Sequence, residues 1–147
     1  MEIRLLSAAE YDDARALILE VFDAFVAPDY GSEGVAAFCE FIARETAALE
    51  MIGAFAENAL IGVLATMNAR AHIVCFFVRG DCQRRGVGRA LWQWLRMHST
   101  QPCITVNASP GAVPAYARFG FTATGPEQVA DGIRFTPMVA ERGHGDD

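Results

Sequence analysis

The spacing of apolar residues along the chain predicts four helices. The first covers residues 8–27 and opens with a Ser-Ala-Ala-Glu capping box at residues 7–10. Its apolar face, at helical spacing, consists of Leu17, Val21, Phe22 and Phe25. The other three helices are expected to begin near Ser32, to run from Val87 to His98, and to run from the Ser109-Pro110 pair to a C-capping Gly120.

Short apolar runs between these helices predict strands. Runs at residues 51–56, 60–67 and 72–78 are separated by turns and indicate an antiparallel meander. The remaining strands are expected at residues 2–6 and 103–107, and in a closing hairpin formed by residues 121–124 and 133–139. The order β α α β β β α β α β β, without repeats or a linker, predicts one α/β domain over residues 1–140 with a mixed sheet, followed by a flexible tail at residues 141–147.

Composition narrows the class of protein. The chain has 147 residues, of which 52% are hydrophobic and 20% charged, which is typical of a globular domain. Its net charge of −6 argues against a partner nucleic acid. No apolar run approaches the roughly 18 residues of a membrane helix, and the N-terminus does not resemble a signal peptide, so we expect no membrane partner and a cytoplasmic location.

The four cysteines do not form a metal or disulfide motif. They stand at positions 39, 75, 82 and 103, with no C-x-x-C pair. Free, mostly structural thiols are therefore expected, and no metal site is predicted.

The loop at residues 83–90 has the composition of a phosphate site. It lies between a buried strand and a helix start, where unpaired backbone amides and the helix dipole favour an anion. Gly86 and Gly88 permit close approach of a ligand, and Arg84, Arg85 and Arg89 add positive charge. The alternatives are ordinary helix-start glycines and, for Arg89, a solvated helix charge. Because all twelve basic residues are arginine, the loop is not a Walker A site, which requires lysine.

Two motifs together resemble the GNAT (GCN5-related) N-acetyltransferase family. The pattern Gln83-x-x-Gly86-x-Gly88 after an apolar strand resembles the family's acetyl-CoA loop. Downstream, Asn107 is followed by Tyr116 and then by Phe119-Gly120-Phe121, which resembles its Asn…Tyr-x-x-x-Gly-Phe element. The resemblance implies the acyl-CoA N-acyltransferase fold, with a mixed, mostly antiparallel central sheet and helices on both faces.

The resemblance also implies how acetyl-CoA would bind. Strands at residues 72–78 and 104–107 would splay apart, and the pantetheine arm would pair with the open backbone edge between them. The pyrophosphate would bind backbone amides of the loop at residues 83–90, the glycine loop. Asn107 would orient the pantetheine or a water, or merely begin a turn. The expected cofactor contacts are Phe76, Phe77, Val78, Gln83, Arg84, Arg85, Gly86, Val87, Gly88, Arg89, Ala90 and Asn107.

Tyr116 and His72 are the candidate catalytic residues. Tyr116 matches the family's acid tyrosine, which protonates the CoA thiolate; its alternative is a core tyrosine. Either His72 or a water would accept the amine proton. The alternative for His72 is a structural histidine at the end of a strand that only hydrogen-bonds a neighbour. Strand alternation places His72 on one face with Val74 and Phe76, opposite Cys75.

The acceptor is expected to contact the first two helices. Phe25 and Tyr30 are the candidates there, while Asp29 and Glu33 would suit a cationic amine but are also ordinary first-turn residues. The resemblance implies transfer of acetyl to a primary amine, expected to belong to a small molecule, by direct attack in a ternary complex. The alternatives are a non-catalytic acyl-CoA-binding module and a protein acetyltransferase. The apolar strand at residues 133–139 could contribute to a homodimer.

Overall fold

The computed structural model describes residues 1–141, which form eight strands and four α-helices. The strands are β1 (Glu2–Leu5), β2 (Glu50–Ala56), β3 (Ala59–Met67), β4 (His72–Val78), β5 (Cys103–Ala108), β6 (Thr122–Ala123), β7 (Gln128–Ala130) and β8 (Ile133–Glu141). The helices are α1 (Tyr11–Phe25), α2 (Ser32–Glu45), α3 (Val87–His98) and α4 (Val113–Arg118). Of the tail expected at residues 141–147, Glu141 ends β8, and the rest lies outside the described residues.

The strands form one mixed sheet in the order β1-β2-β3-β4-β5-β8-β6, and β7 also pairs with β8. Every pair is antiparallel except β4 with β5, so the mixed, mostly antiparallel sheet is confirmed. The parallel pair is joined only where His72 faces Thr105 and Ile73 faces Val106. Beyond these two pairs β4 and β5 diverge, as the family resemblance implied.

Helices cover both faces of the sheet, as expected. On one face α3 and α4 pack through Leu91, Leu95 and Tyr116, and on the other α1 and α2 pack through Ile18 and Ile42. All five side chains are buried, and this burial of apolar surface holds the layers together. Within residues 1–141, no helix is both long and apolar enough to cross a bilayer.

The first helix is shorter than predicted at both ends. A 3₁₀ turn over Ala8–Glu10 precedes α1, which ends at Phe25, and a second 3₁₀ turn over Ala27–Asp29 contains the proline. The capping box is present: the Glu10 carboxylate accepts a 2.9 Å hydrogen bond from the Ser7 backbone N–H. Hydrogen bonds from Arg4 and Ser7 lower the pKa of Glu10 to about 2.

The closing hairpin contains more strand than predicted. Residues 122–123 pair with β8 at Val139 and Met138, as expected of that hairpin. The connecting segment also forms β7, which pairs with β8 at residues 133–135. The prediction missed β7 because its three residues are all exposed and carry no alternation of apolar and polar side chains.

A bulge in β4 overturns one prediction about side-chain direction. The register with β3 shifts between Ile73 and Cys75, so the strict alternation of faces stops there. Val74 and Cys75 both contact the α1–α2 layer, whereas Ile73 and Phe76 contact the α3–α4 layer. The predicted common face for His72, Val74 and Phe76, opposite Cys75, is therefore wrong.

Candidate active site

The divergence of β4 and β5 opens a groove that contains two adjoining cavities. The first, of about 230 Å³, lies against the glycine loop and is called the loop cavity. The second, of about 380 Å³, reaches the aromatic residues of α1 and α2 and is called the aromatic cavity. Because they share six lining residues, the two form one continuous space; the six are Phe76, Val78, Gln83, Ala112, Ala115 and Tyr116.

The glycine loop presents the start of α3 to the loop cavity. Gly86 is the N-cap residue with φ of +83°, a left-handed conformation that glycine adopts readily, and it provides no side-chain cap. The first turn of α3 contains no acidic residue, so its amides keep their positive potential. Gln83 closes the loop by donating a 3.0 Å hydrogen bond to the Val78 carbonyl oxygen. This geometry suits an anion at the helix start.

Gly88 lines the loop cavity without being required by the protein's own packing. A Cβ built on Gly88 would come no closer than 3.8 Å to another atom, from the rings of Phe119 and Phe76. This is an ordinary van der Waals contact. The space beside Gly88 is therefore open to a ligand.

The three loop arginines have different positions. Arg84 lines the loop cavity, whereas Arg85 and Arg89 are exposed and line neither cavity. Within residues 1–141, none of the three forms an ion pair, so their charge is available to an anion. A ligand contact by Arg89 stays a prediction.

The backbone of β4 has one free edge in the groove. Phe76, Phe77 and Val78 pair with β3 on one side, but their edge toward β5 has no strand partner. An extended ligand could hydrogen-bond there like an added strand. Opposite this edge on β5, the exposed Asn107 lines the aromatic cavity.

Tyr116 lies where the two cavities meet. Its ring is held edge-on against Phe76 and Phe121, with centroid distances of 6.0 and 5.2 Å. The side chain is 7% exposed and lines both cavities, and within residues 1–141 its hydroxyl has no hydrogen-bond partner. Burial raises the pKa of Tyr116, so the hydroxyl remains protonated at neutral pH.

His72 lies at the closed end of the groove. Its Nδ1 is 2.7 Å from the Thr105 hydroxyl oxygen, the strand-end hydrogen bond that was the alternative interpretation. Burial lowers the pKa of His72, which favours the neutral imidazole. His72 lines neither cavity, so the structure does not bring it into the same space as Tyr116. Its role as a base stays a prediction.

The aromatic cavity brings together the two residues proposed for the acceptor side. Phe25 and Tyr30 both line it. Burial is the main reason that the pKa of Tyr30 is raised. Asp29 and Glu33 are not among the lining residues.

Several lining residues were not predicted. Ala112 and Phe119 flank α4, four positions before and three positions after Tyr116, a helical spacing that the sequence could have indicated. Ala115 precedes Tyr116 directly. Ser109 precedes the 3₁₀ turn before α4, but its side chain forms no cap hydrogen bond, and it lines the aromatic cavity. Cys82 lines the loop cavity.

Comparison with known proteins agrees with the resemblance to the GNAT family that the sequence motifs indicated. The family model described as an acetyltransferase (GNAT) domain matches residues 26–142. Among solved structures, a GCN5-related N-acetyltransferase from Rhodopseudomonas palustris has a TM-score of 0.78 at 19% identity, covering 95% of this chain and 94% of that chain. The PaiA N-acetyltransferase of Thermoplasma acidophilum in complex with coenzyme A has a TM-score of 0.67 at 18% identity, covering 95% and 98%.

Tetrahymena GCN5 is similar in the same way, with a TM-score of 0.71, 15% identity, and coverage of 97% of this chain and 96% of that chain. At these identities the solved structures support the fold alone. No curated protein matches the sequence. The family match extends over most of the chain, including the glycine loop, the open edge of β4 and Tyr116. The chain therefore belongs to the GNAT acetyltransferase family.

Proposed function

We propose that this protein transfers an acetyl group from acetyl-CoA to the primary amine of a small molecule, by direct attack in a ternary complex. The observation that carries the proposal is the position of Tyr116, which lines both adjoining cavities and whose hydroxyl has no hydrogen-bond partner within residues 1–141. One cavity has the features of a donor site and the other those of an acceptor site. Tyr116 lies where a group passing between them would react.

The donor is assigned to the loop cavity. The pyrophosphate binds the amides at the start of α3, with Arg84 beside it, and the pantetheine arm follows the free edge of Phe76, Phe77 and Val78. This places the thioester near the junction of the cavities. Longer acyl groups would use the same contacts, and acetyl is proposed from the family.

The reaction needs one proton donor and one proton acceptor. The amine nitrogen attacks the thioester carbonyl carbon, and an amide N–H on the β4 edge stabilises the oxyanion. The C–S bond then breaks, and Tyr116 donates its proton to the departing thiolate. A water accepts the proton lost by the amine, with His72 as the alternative. The products are the N-acetyl amine and CoA.

The β7–β8 hairpin encloses the acceptor side, and this favours a small acceptor over a protein segment. The turn between β7 and β8 packs directly on the start of α2 at Gly34 and Gly132. Arg134 of β8 also donates a 3.5 Å hydrogen bond to the Asp29 carbonyl oxygen and pairs with Glu127. The connection between α1 and α2 is thus held by the hairpin, which leaves less room for an extended chain.

The rival function is a non-catalytic acyl-CoA-binding module, which would need the glycine loop but not Tyr116. Incubation with acetyl-CoA and a panel of small amines, followed by assay of free CoA and mass spectrometry of the products, separates the two. We expect amine-dependent CoA release in step with an acetylated product. Tight CoA binding with no product from any small amine would overturn the proposal, and acetylation of peptides alone would favour a protein acetyltransferase.

A further inference from the structure

We propose that the acceptor is an amine that carries an aromatic or bulky apolar group and no second charge. This inference rests on the proposed function and concerns the same site. The apolar group is assigned to the aromatic cavity, and the amine to the junction near Tyr116. The proposal follows from three features of the cavity: its aromatic wall, its uncharged lining and an exposed phenylalanine at its mouth.

The aromatic wall is built from rings that hold one another in place. Phe22 and Phe38 stack with centroids 4.0 Å apart and planes within 9° of parallel. Tyr30 meets Phe22 edge-on at 5.5 Å, and Phe77 meets Phe38 edge-on at 6.2 Å. All four rings line the aromatic cavity. A wall of mutually packed rings offers a fixed apolar surface on which a flat or branched apolar group can stack.

Within residues 1–141, the residues that line the aromatic cavity carry no formal charge. Its polar side chains are neutral, and they include Tyr30, Asn107, Ser109 and Tyr116. A second ammonium or a carboxylate on the acceptor would lose water here without gaining an ionic partner, which is unfavourable. The Asp29 carboxylate approaches the rim, where a Cβ on Gly111 would lie 3.9 Å from it, but it is outside the lining. The site therefore favours acceptors whose only charge is the reacting amine.

Phe25 leaves a large apolar surface uncovered at the mouth of the cavity. It is 51% exposed although it lines the cavity, and its ring stands over Gly80, 3.1 Å from a Cβ built there. Covering an exposed aromatic ring is favourable in proportion to the apolar area removed from water. An apolar group on the acceptor would cover this surface, whereas a polar one would not.

The test compares four primary amines that differ in their apolar and charged groups, at saturating acetyl-CoA. We expect kcat/KM for phenylethylamine to exceed that for ethanolamine and for diaminobutane by at least about tenfold, the ratio that corresponds to burial of a few methylene equivalents. Butylamine should fall between them. A preference for ethanolamine or diaminobutane, with turnover intact, would overturn the inference while leaving the proposed function standing.

Two variants of α1 make the test specific to the cavity. Phe25→Ala should raise KM for phenylethylamine about tenfold, and should change KM for ethanolamine by a smaller factor. Leu19→Ala is the matched control, because Leu19 is also a partly exposed apolar residue of α1 but does not line the cavity. It should change neither value. Equal effects of both variants on both amines would contradict the assignment.

A binding measurement decides the inference even if no amine is acetylated. Phenylethylamine is titrated into the CoA-saturated protein by calorimetry, with ethanolamine as the comparison. Binding of phenylethylamine that is weakened about tenfold by Phe25→Ala supports the aromatic site. Absence of binding in the wild-type protein would overturn it. Failure of the proposed function would appear separately, as a lack of product from every amine.

Discussion

Gly34 in α2 and Gly132 in the β7–β8 turn meet backbone to backbone. A Cβ built on Gly132 would lie 2.6 Å from the Gly34 nitrogen, and one built on Gly34 would overlap the Gly132 carbonyl. Gly132 also has φ of +77°, in the left-handed region that favours glycine. Two glycines far apart in sequence thus allow the hairpin to reach the helix, and this contact lies beside the proposed acceptor side of the groove.

Replacing Gly34 by alanine should destabilise the protein. The added methyl group would collide with backbone atoms rather than with a side chain that can turn away, and such overpacking costs about 1–3 kcal/mol. Urea unfolding would measure the loss in the free energy of unfolding. Gly31→Ala is the control, since a Cβ on Gly31 at the start of the same helix meets no atom within 4 Å. Equal stability of the two variants would contradict the contact.

Replacing Gly88 by alanine should weaken CoA binding without weakening the fold. The unliganded protein has room for the methyl group, and alanine is more favourable than glycine inside a helix. A pyrophosphate lying against the loop would meet that methyl group, so we expect the Kd for CoA to rise by about tenfold or more. Calorimetric titration measures this change. Unchanged CoA affinity would place the pyrophosphate elsewhere.

Replacing Tyr116 by phenylalanine should remove the acid and keep the packing. The ring contacts with Phe76 and Phe121 survive, so stability and CoA affinity should stay near the wild-type values. Loss of a general acid lowers kcat by about 10²–10⁴-fold. Steady-state assay with an accepted amine gives kcat, and thermal unfolding monitors the fold. Turnover at the wild-type rate would exclude Tyr116 as the acid.

His72 should make stability depend on pH in the mildly acidic range. Burial places its folded-state pKa below the ordinary value of 6.5, so below that pH the unfolded chain binds more protons than the folded one. The free energy of unfolding should therefore fall as pH drops below about 6.5. His72→Gln keeps a hydrogen-bonding side chain beside Thr105 and should flatten this part of the profile. Chemical denaturation across the range measures it.

The same variant tests where the amine proton goes. Because His72 lines neither cavity, we expect His72→Gln to retain kcat and the wild-type pH dependence of turnover. A water would then be the acceptor. If the variant instead lost turnover, and the residual turnover no longer depended on pH near the histidine pKa, His72 would be supported as the base.

Periodicity predicted the helices and the meander well where one face is buried and the other exposed. The bounds of α3 match the prediction because its apolar stripe starts directly after Gly86 and ends before Ser99. The bulge in β4 could not be predicted in this way. Val74 and Cys75 are both apolar, and a segment with apolar residues on both faces looks the same with or without a register shift.

The proposed donor side has a clearer signal in the sequence than the proposed acceptor side. Gly86 and Gly88 form a local motif whose geometry follows from a strand, a loop and a helix start. Phe22 and Phe38 line the aromatic cavity, yet in sequence they look like core residues on helix faces. Whether such a residue faces a neighbour or a cavity depends on how the layers pack, and the apolar pattern is the same in both cases.

The two residue pairs between β4 and β5 have a consequence for how the protein moves. Within residues 1–141, they are the only strand pairs that join two parts of the sheet. One part contains strands β1, β2, β3 and β4, and the other contains strands β5, β6, β7 and β8. A donor that hydrogen-bonds β4 while contacting α4 would add cross-links between these two parts. We therefore expect CoA to slow hydrogen exchange of β5 amides that it does not touch, and to raise the melting temperature in step with its concentration. The cofactor would then serve as a component of the fold as well as a reactant.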